Sequence, residues 1–479
     1  MRQSLKKYTI ILIFLATFFF IWFGREFDIF RKAEINDSFY CKDCNVILIT
    51  LTNLRYDHLS GSGYFRPTTP NLDAFAKESL VFDNAFGHSS WTLPEAISIF
   101  TSLYPYKHGI MNRYDGSVLS ENTPTLIDIL SDSGYTTAGF TGGFDYNPAF
   151  GLTNRFGEYQ ECTEGEKQVS GYGKIGCTMP NALEWIKNHL DEKFFVQIQG
   201  YDAHCPFSQQ GGFMYDKDYK GTVDYSNCLW TFDKSEPETI DGKLYYPVYS
   251  PTTEGKASVL LGEEDISHLI ALYDESITLS DELFGSFIEE IKKLGLEDNT
   301  IIIFTSEHGD MLGKHGRFMR GGPLRGTLYD DVLHIPLMIK HPELKPARLE
   351  GLAEHIDIAP TLLDFLGIKE KFSFQGKSLI PLLLRNKEVN RYIFAGVEFH
   401  PGTGNLYFQE NTRVEAIRTK YWKLIRETII SQVPPSHALE LYDLINDKEE
   451  LYNLADTKKD ILDDLERRLD EWSEDTRKE

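Results

Sequence analysis

The feature that most limits what this chain can fold into is an alternation. From residue 45 onward, apolar runs suited to buried strands recur: NVILITL, VFDNAF, YTTAGFTGG, KFFVQIQGYD and NTIIIFTSEHG. Between them lie stretches with helical periodicity: TPNLDAFAKESL, LPEAISIFTSL, TPTLIDILSDSG, NALEWIKNHLDE and a longer one near Asp265–Lys293. Strand and helix taken in turn predict an α/β fold in three layers, a mostly parallel central sheet with helices on both faces. Ligand chemistry in such a sheet is expected just beyond the C-terminal ends of the strands.

The alternation fails in three places, and these set the boundaries. Residues 205–262 are rich in Tyr, Gly, Pro and Asp and read as an insertion, a long loop or small subdomain beside the pocket. Beyond residue 385 the pattern changes to paired short strands in VEAIRTKYWKLIRE and an amphipathic helix, KKDILDDLERRLDEW, with Ile461, Leu462, Leu465, Leu469 and Trp472 on its apolar face. Residues 386–479 are therefore expected to form a small C-terminal α+β subdomain on the main domain of residues 45–385. Before residue 45, Arg2, Lys6 and Lys7 precede the apolar run Tyr8 to Phe23. Residues 1–24 read as an uncleaved N-terminal membrane anchor, and 25–44 as a charged tether. The competing reading is a signal peptide, but FFFIWFGREF has bulky residues where a cleavage site wants small ones.

A net charge of −23 argues against nucleic acid as a partner, while a locally cationic pocket would still admit a small anion. The six cysteines, an even number behind an anchor, point to disulfides and to an extracytoplasmic location for the bulk of the chain. Cys162 and Cys177 would close a short Gly-rich loop; Cys41-x-x-Cys44 is either a disulfide or half of a zinc site without a second pair nearby.

Strand ends carry the chemistry. Thr52 and Asn53 follow the first strand, where a metal-gripping acid is often found. Thr92 stands at the start of a Pro94-initiated helix, where the dipole would favour a deprotonated hydroxyl beside a metal; an N-cap is the plainer role for it. Glu307 and His308 follow a deeply apolar strand and would form half of a divalent-cation site, with His315 and Gly316 shortly after. His204 follows another strand on the same expected face.

Taken in order, NVILITL…LRYDHL, TPNLDAFAKES, SWTLPEAISIFTSLYPYKHG, YDAHCPF, SEHGDMLGKHG, LYDDVLHIPLMI, HIDIAPTLLDFLGI and LELYDLINDKEELYNLAD resemble the sulfatase family of the alkaline-phosphatase-like superfamily, over nearly all of residues 45–470. The resemblance implies that fold and a divalent metal (Ca, Zn or Mn) held by strand-end residues, here Thr52, Asn53, Glu307 and His308. It puts the nucleophile at Thr92, acids toward the leaving group at His204 or His315, and a substrate-contacting cation at Arg325, with Arg320 as the alternative. The departures are as informative. Thr92 is not a formylglycine precursor. Thr52 replaces an acid and removes one formal charge from a site of hard anionic oxygens, so the metal is expected to be weakened or lost. Glu95 and Ala96 replace a serine and a basic residue after the proline. Two functions follow from the resemblance. One is a membrane-anchored hydrolase or transferase of sulfate or phosphate esters with Thr92 as nucleophile, its substrate an anionic ester on a glycan or lipid head group. The other is a catalytically degenerate sulfatase fold that binds a glycan, lipid or protein partner.

Overall fold

The first strand, β1 (Asn45–Leu51), is buried along its whole length, and its apolar residues serve two cores at once. Ile47 and Ile49 face one cluster, Val46 and Leu48 the other. A strand with no polar face can only be central. The protein is described here by a computed structural model covering residues 39–113, 116–162, 173–207, 214–221, 223, 231–232, 238–249, 257–318, 327–369, 372–399 and 411–477. The apolar N-terminal segment lies outside these residues. Among the described residues no helix is long and apolar enough to cross a membrane.

β1 is flanked in parallel by β10 (Thr300–Thr305) and β5 (Phe194–Gly200). The parallel run continues through β3 (Thr136–Thr141) to β4 (Glu158–Glu161). Beyond β10, β12 (Leu337–Lys340) runs antiparallel to β10 and to β2 (Leu80–Phe86), while β13 (Ala347–Glu354) lies parallel to β2. The two-residue β11 (His334–Ile335) closes that side. The sheet is thus mostly parallel, as the alternation predicts. One face is covered by α2 (Ile175–Asn188) and the long α3 (Glu263–Lys293), the other by α1 (Thr92–Thr101) and α4 (Ile358–Leu366).

The inserted region supplies a small antiparallel sheet of β6 (Thr231–Phe232), β7 (Glu238–Ile240), β8 (Lys243–Tyr249) and β9 (Ala257–Gly262), which leads directly into α3. The C-terminal part is an antiparallel sheet, β14 (Ile393–Phe399), β15 (Thr412–Arg418), β16 (Trp422–Ile429) and β17 (Ser436–Asp443), packed by α5 (Lys459–Arg477). Leu462, Leu465, Leu469 and Trp472 form the buried stripe of α5, as their spacing predicts, and Trp472 stacks on Phe394 with ring centres 5.1 Å apart. Cys41–Cys44 and Cys162–Cys177 are disulfides, so the zinc reading of the first pair gives way, and Cys205 is also disulfide-bonded.

Candidate active site

The residues singled out at the strand ends come together at one edge of the sheet. After Leu51 the backbone turns through Thr52 and Asn53, the latter left-handed at φ 72°. Asparagine tolerates that conformation because its short amide can bond locally. Its Nδ2 donates to Asp310 Oδ2 at 2.7 Å, which fixes the amide orientation, since a carboxylate only accepts. β10 delivers Glu307 and His308 to the same place, and α1 begins there with Thr92. Thr52, Asn53, Thr92, Glu307 and His308 are all buried.

Glu307 is held by neutral donors. Thr52 Oγ1 donates to Glu307 Oε2 at 3.0 Å, and the Tyr146 hydroxyl donates to Oε1 at 2.7 Å. Gln199 Nε2 in turn donates to Thr52 Oγ1 at 2.8 Å. Burial pushes the Glu307 carboxyl above its usual range, against the opposing effect of these hydrogen bonds. No ammonium or guanidinium lies within ion-pair distance of it among the described residues.

The metal implied by the resemblance can be tested against this donor set. Asn53 Oδ1 is a buried acceptor with no hydrogen-bond partner among the described residues, an atom a cation would satisfy. The rest does not fit. A calcium ion takes roughly six to eight oxygens, several of them anionic. Here the two Glu307 oxygens face O–H donors, and the Thr52 hydroxyl is already engaged as donor and acceptor. Among the described residues no three His, Cys, Asp or Glu side chains are arranged to hold a metal ion.

Thr92 does not cap its helix; the N-cap is Trp91, with extended backbone. The Thr92 hydroxyl lies 3.0 Å from His308 Nε2, and His308 Nδ1 lies 2.9 Å from the Gly309 carbonyl oxygen. A carbonyl only accepts, so Nδ1 carries the proton of the neutral ring and Nε2 accepts from Thr92. Glu95 turns away from this pair. Its Oε1 accepts from the backbone N–H groups of His88 and Ser89, and its Oε2 lies 2.7 Å from His355 Nδ1. His88 is bound to the C-terminal sheet: its Nδ1 lies 2.8 Å from the Phe394 carbonyl, and its own carbonyl accepts from Gly396 N–H at 2.8 Å.

Two other residues named from sequence sit in different company. The His204 ring donates to the Cys205 carbonyl oxygen, with Tyr201 set edge-on at 5.9 Å. His315 stacks on Tyr329 at 3.8 Å and approaches Asp331 at 4.0 Å. Arg325 and Arg320 lie outside the described residues. Sequence reasoning missed Tyr146, Gln199, Asp310 and His355. It also passed over Arg55, a buried guanidinium that donates to the Asp310 carbonyl at 2.8 Å and pairs with Asp57 and Asp331.

With this geometry in hand, the comparisons decide the family. The sulfatase family model matches residues 44–368, and the model described as N-sulphoglucosamine sulphohydrolase, C-terminal, matches residues 313–475. The chain belongs to the sulfatase family. Among curated proteins this sulfatase-family chain is similar to arylsulfatase K of Xenopus laevis, 24% identical over 433 residues that cover 84% of this chain and 77% of that protein. Two of the solved structures that share its fold are these. One is a protein in complex with its substrate D-glucosamine-2-N,6-O-disulfate, with TM-score 0.67, 19% identity and coverage of 90% and 98%. The other is the phosphonate monoester hydrolase of Agrobacterium radiobacter, with TM-score 0.66, 21% identity and coverage of 87% and 92%.

Proposed function

We propose that this sulfatase-family chain serves as a recognition protein for an anionic ester, a sulfated or phosphorylated group on a glycan or lipid, and has given up metal-assisted hydrolysis. The observation that carries this reading is the closure of Glu307 by the hydroxyls of Thr52 and Tyr146 in the place of a cation. Ala96, at the position of a family basic residue, removes charge that would stabilise a transition state. One further observation supports an anionic ligand: a solved relative in fold holds a sulfated glucosamine.

The test measures metal content, aryl sulfate and aryl phosphate turnover, and binding of a sulfated disaccharide on the full chain. The expected result is substoichiometric metal and no turnover with added Ca, Zn or Mn, alongside saturable binding. Metal-dependent turnover would overturn the reading. Thr52→Asp restores an anionic ligand and is expected to gain divalent-cation affinity.

One observation favours a second reading. The Thr92–His308 pair, with the imidazole oriented by Gly309, is the arrangement of a hydroxyl nucleophile and its general base. On this reading Thr92 attacks the ester directly, and turnover is chelator-insensitive and lost in both Thr92→Ala and His308→Ala.

For location, the reading is a single N-terminal anchor with the bulk of the chain outside the cytoplasm. The apolar run Tyr8 to Phe23 and the disulfides support it. Retention in the membrane pellet after alkaline extraction, with protease access from the outer face, is the expected behaviour.

A further inference from the structure

One large concavity bounded by described residues is not at Thr92. It is a cleft of about 980 Å³ between the main domain and the C-terminal sheet, and none of its lining residues belongs to the Thr92, His308 and Glu307 constellation. That volume is at the upper end of the range of roughly 300–1,000 Å³ typical of small-molecule sites, which favour boundaries of this kind. Aromatic rings line both walls and face solvent: Phe65 on the main domain is 77% exposed, and Tyr421 on the turn before β16 is 52% exposed. Large rings left in water at this level, on opposite sides of one cleft, are what stacking against a flat, partly apolar ligand requires.

The charges around them restrict the ligand further. Lys314 is bonded to Asp331 at 2.9 Å and to Glu449, Arg418 to Asp330 at 2.9 Å, and Asp57 to Arg55 at 2.6 Å. Lys420 and Lys448 line the cleft as well, but its acids, Asp57, Asp83, Asp330, Asp331, Glu350 and Glu449, outnumber its bases, Lys314, Arg418, Lys420 and Lys448. The net field therefore does not favour an anion, while donors and acceptors lie side by side. A hydroxyl-rich neutral molecule with apolar ring faces meets both conditions. A phosphate or sulfate ester would meet that excess of carboxylates.

We infer that this cleft is a second ligand site, separate from the Thr92 site, and that it binds a neutral oligosaccharide clasped between Phe65 and Tyr421. The inference does not depend on whether the Thr92 site binds or cleaves anything. The test is calorimetric titration of the full chain with chitohexaose, cellohexaose and a heparin-derived hexasaccharide, in parallel with Phe65→Ala, Tyr421→Ala and Thr92→Ala. Both aromatic residues are exposed, so their variants are expected to keep the wild-type melting temperature, which is measured alongside.

The expected result is saturable binding of at least one neutral hexasaccharide, weakened at least about tenfold by either aromatic substitution, as for an anchor residue, and unchanged in Thr92→Ala. Three results would overturn the inference: no saturable binding of either neutral sugar, binding of the sulfated hexasaccharide alone, or neutral-sugar binding that survives both aromatic substitutions.

Discussion

Glu307 and Asp330 are both shielded carboxylates, and the chain compensates them in opposite ways. Glu307 meets neutral donors, the hydroxyls of Thr52 and Tyr146 among them, and burial holds its carboxyl above the usual range. Asp330 is bonded to Arg418 Nε at 2.9 Å and to Lys423 Nζ at 2.8 Å, and Lys423 also reaches Glu450 at 2.9 Å. Burial pushes the Asp330 carboxyl up, but Arg418 and Lys423 win and hold it well below the usual range. The sequence thus places cations beside carboxylates where the C-terminal sheet meets the main domain, and sets neutral donors around Glu307. A carboxylate compensated by neutral donors is a structural element first and a ligand second.

The contrast predicts unequal sensitivities. Lys423→Met strips one cation from two acids while its own site is fully buried, so it should cost about 3–5 kcal/mol of stability in denaturant unfolding. A loss under 1 kcal/mol would mean that Arg418 alone suffices. Thr52→Val and Tyr146→Phe each leave a Glu307 oxygen without its donor and should cost about 1–3 kcal/mol. If either variant instead gains stability on adding calcium, the neutral network is masking a cation site, and the comparison breaks.

Acid should act on both regions through imidazoles that burial holds neutral. His88, behind the helix of Thr92, and His334, beside Asp330, are each pushed down to about 4. Their unfolded counterparts protonate near 6.5. Between pH 6.5 and 4 the unfolded chain therefore binds more protons, and stability falls as pH drops through that window, by up to about 1.4 kcal/mol per pH unit for each ring. Melting temperatures that stay flat from pH 7 to 4.5 would contradict this. The smallest effect is expected on α5, where Arg467 bonds Asp464 and Glu471 in full solvent. Arg467→Ala should leave the melting temperature unchanged within error, a baseline for the buried pairs.

Much of this arrangement was legible in the chain. The five residues at the floor of the site, Thr52, Asn53, Thr92, Glu307 and His308, follow strand ends or start a helix, and the parallel sheet carries them to one edge. What completes the network was not legible in the same way. Tyr146 joins Glu307 from 161 residues away, out of a short 3-10 turn with no periodic signature. Gln199 did leave a trace: a polar residue in a strand buried on every residue must be hydrogen-bonded somewhere, and KFFVQIQG carries two. Asp310 lay within the stretch that identified Glu307 but has no apolar run before it to mark it. The insertion announced itself only as a break in rhythm, because its four strands, all before the long helix, carry few alternating residues to read.

The two backbone and ring contacts that join His88 to Phe394 and Gly396 have a practical meaning. The loop that leads into Thr92 is stitched to the C-terminal sheet from the other end of the gene. A truncated product ending near residue 385 would carry every residue of the sulfatase-like floor and still leave that loop without its outer seam. Any attempt to express, evolve or transplant the site has to take the two lobes as a single unit of inheritance.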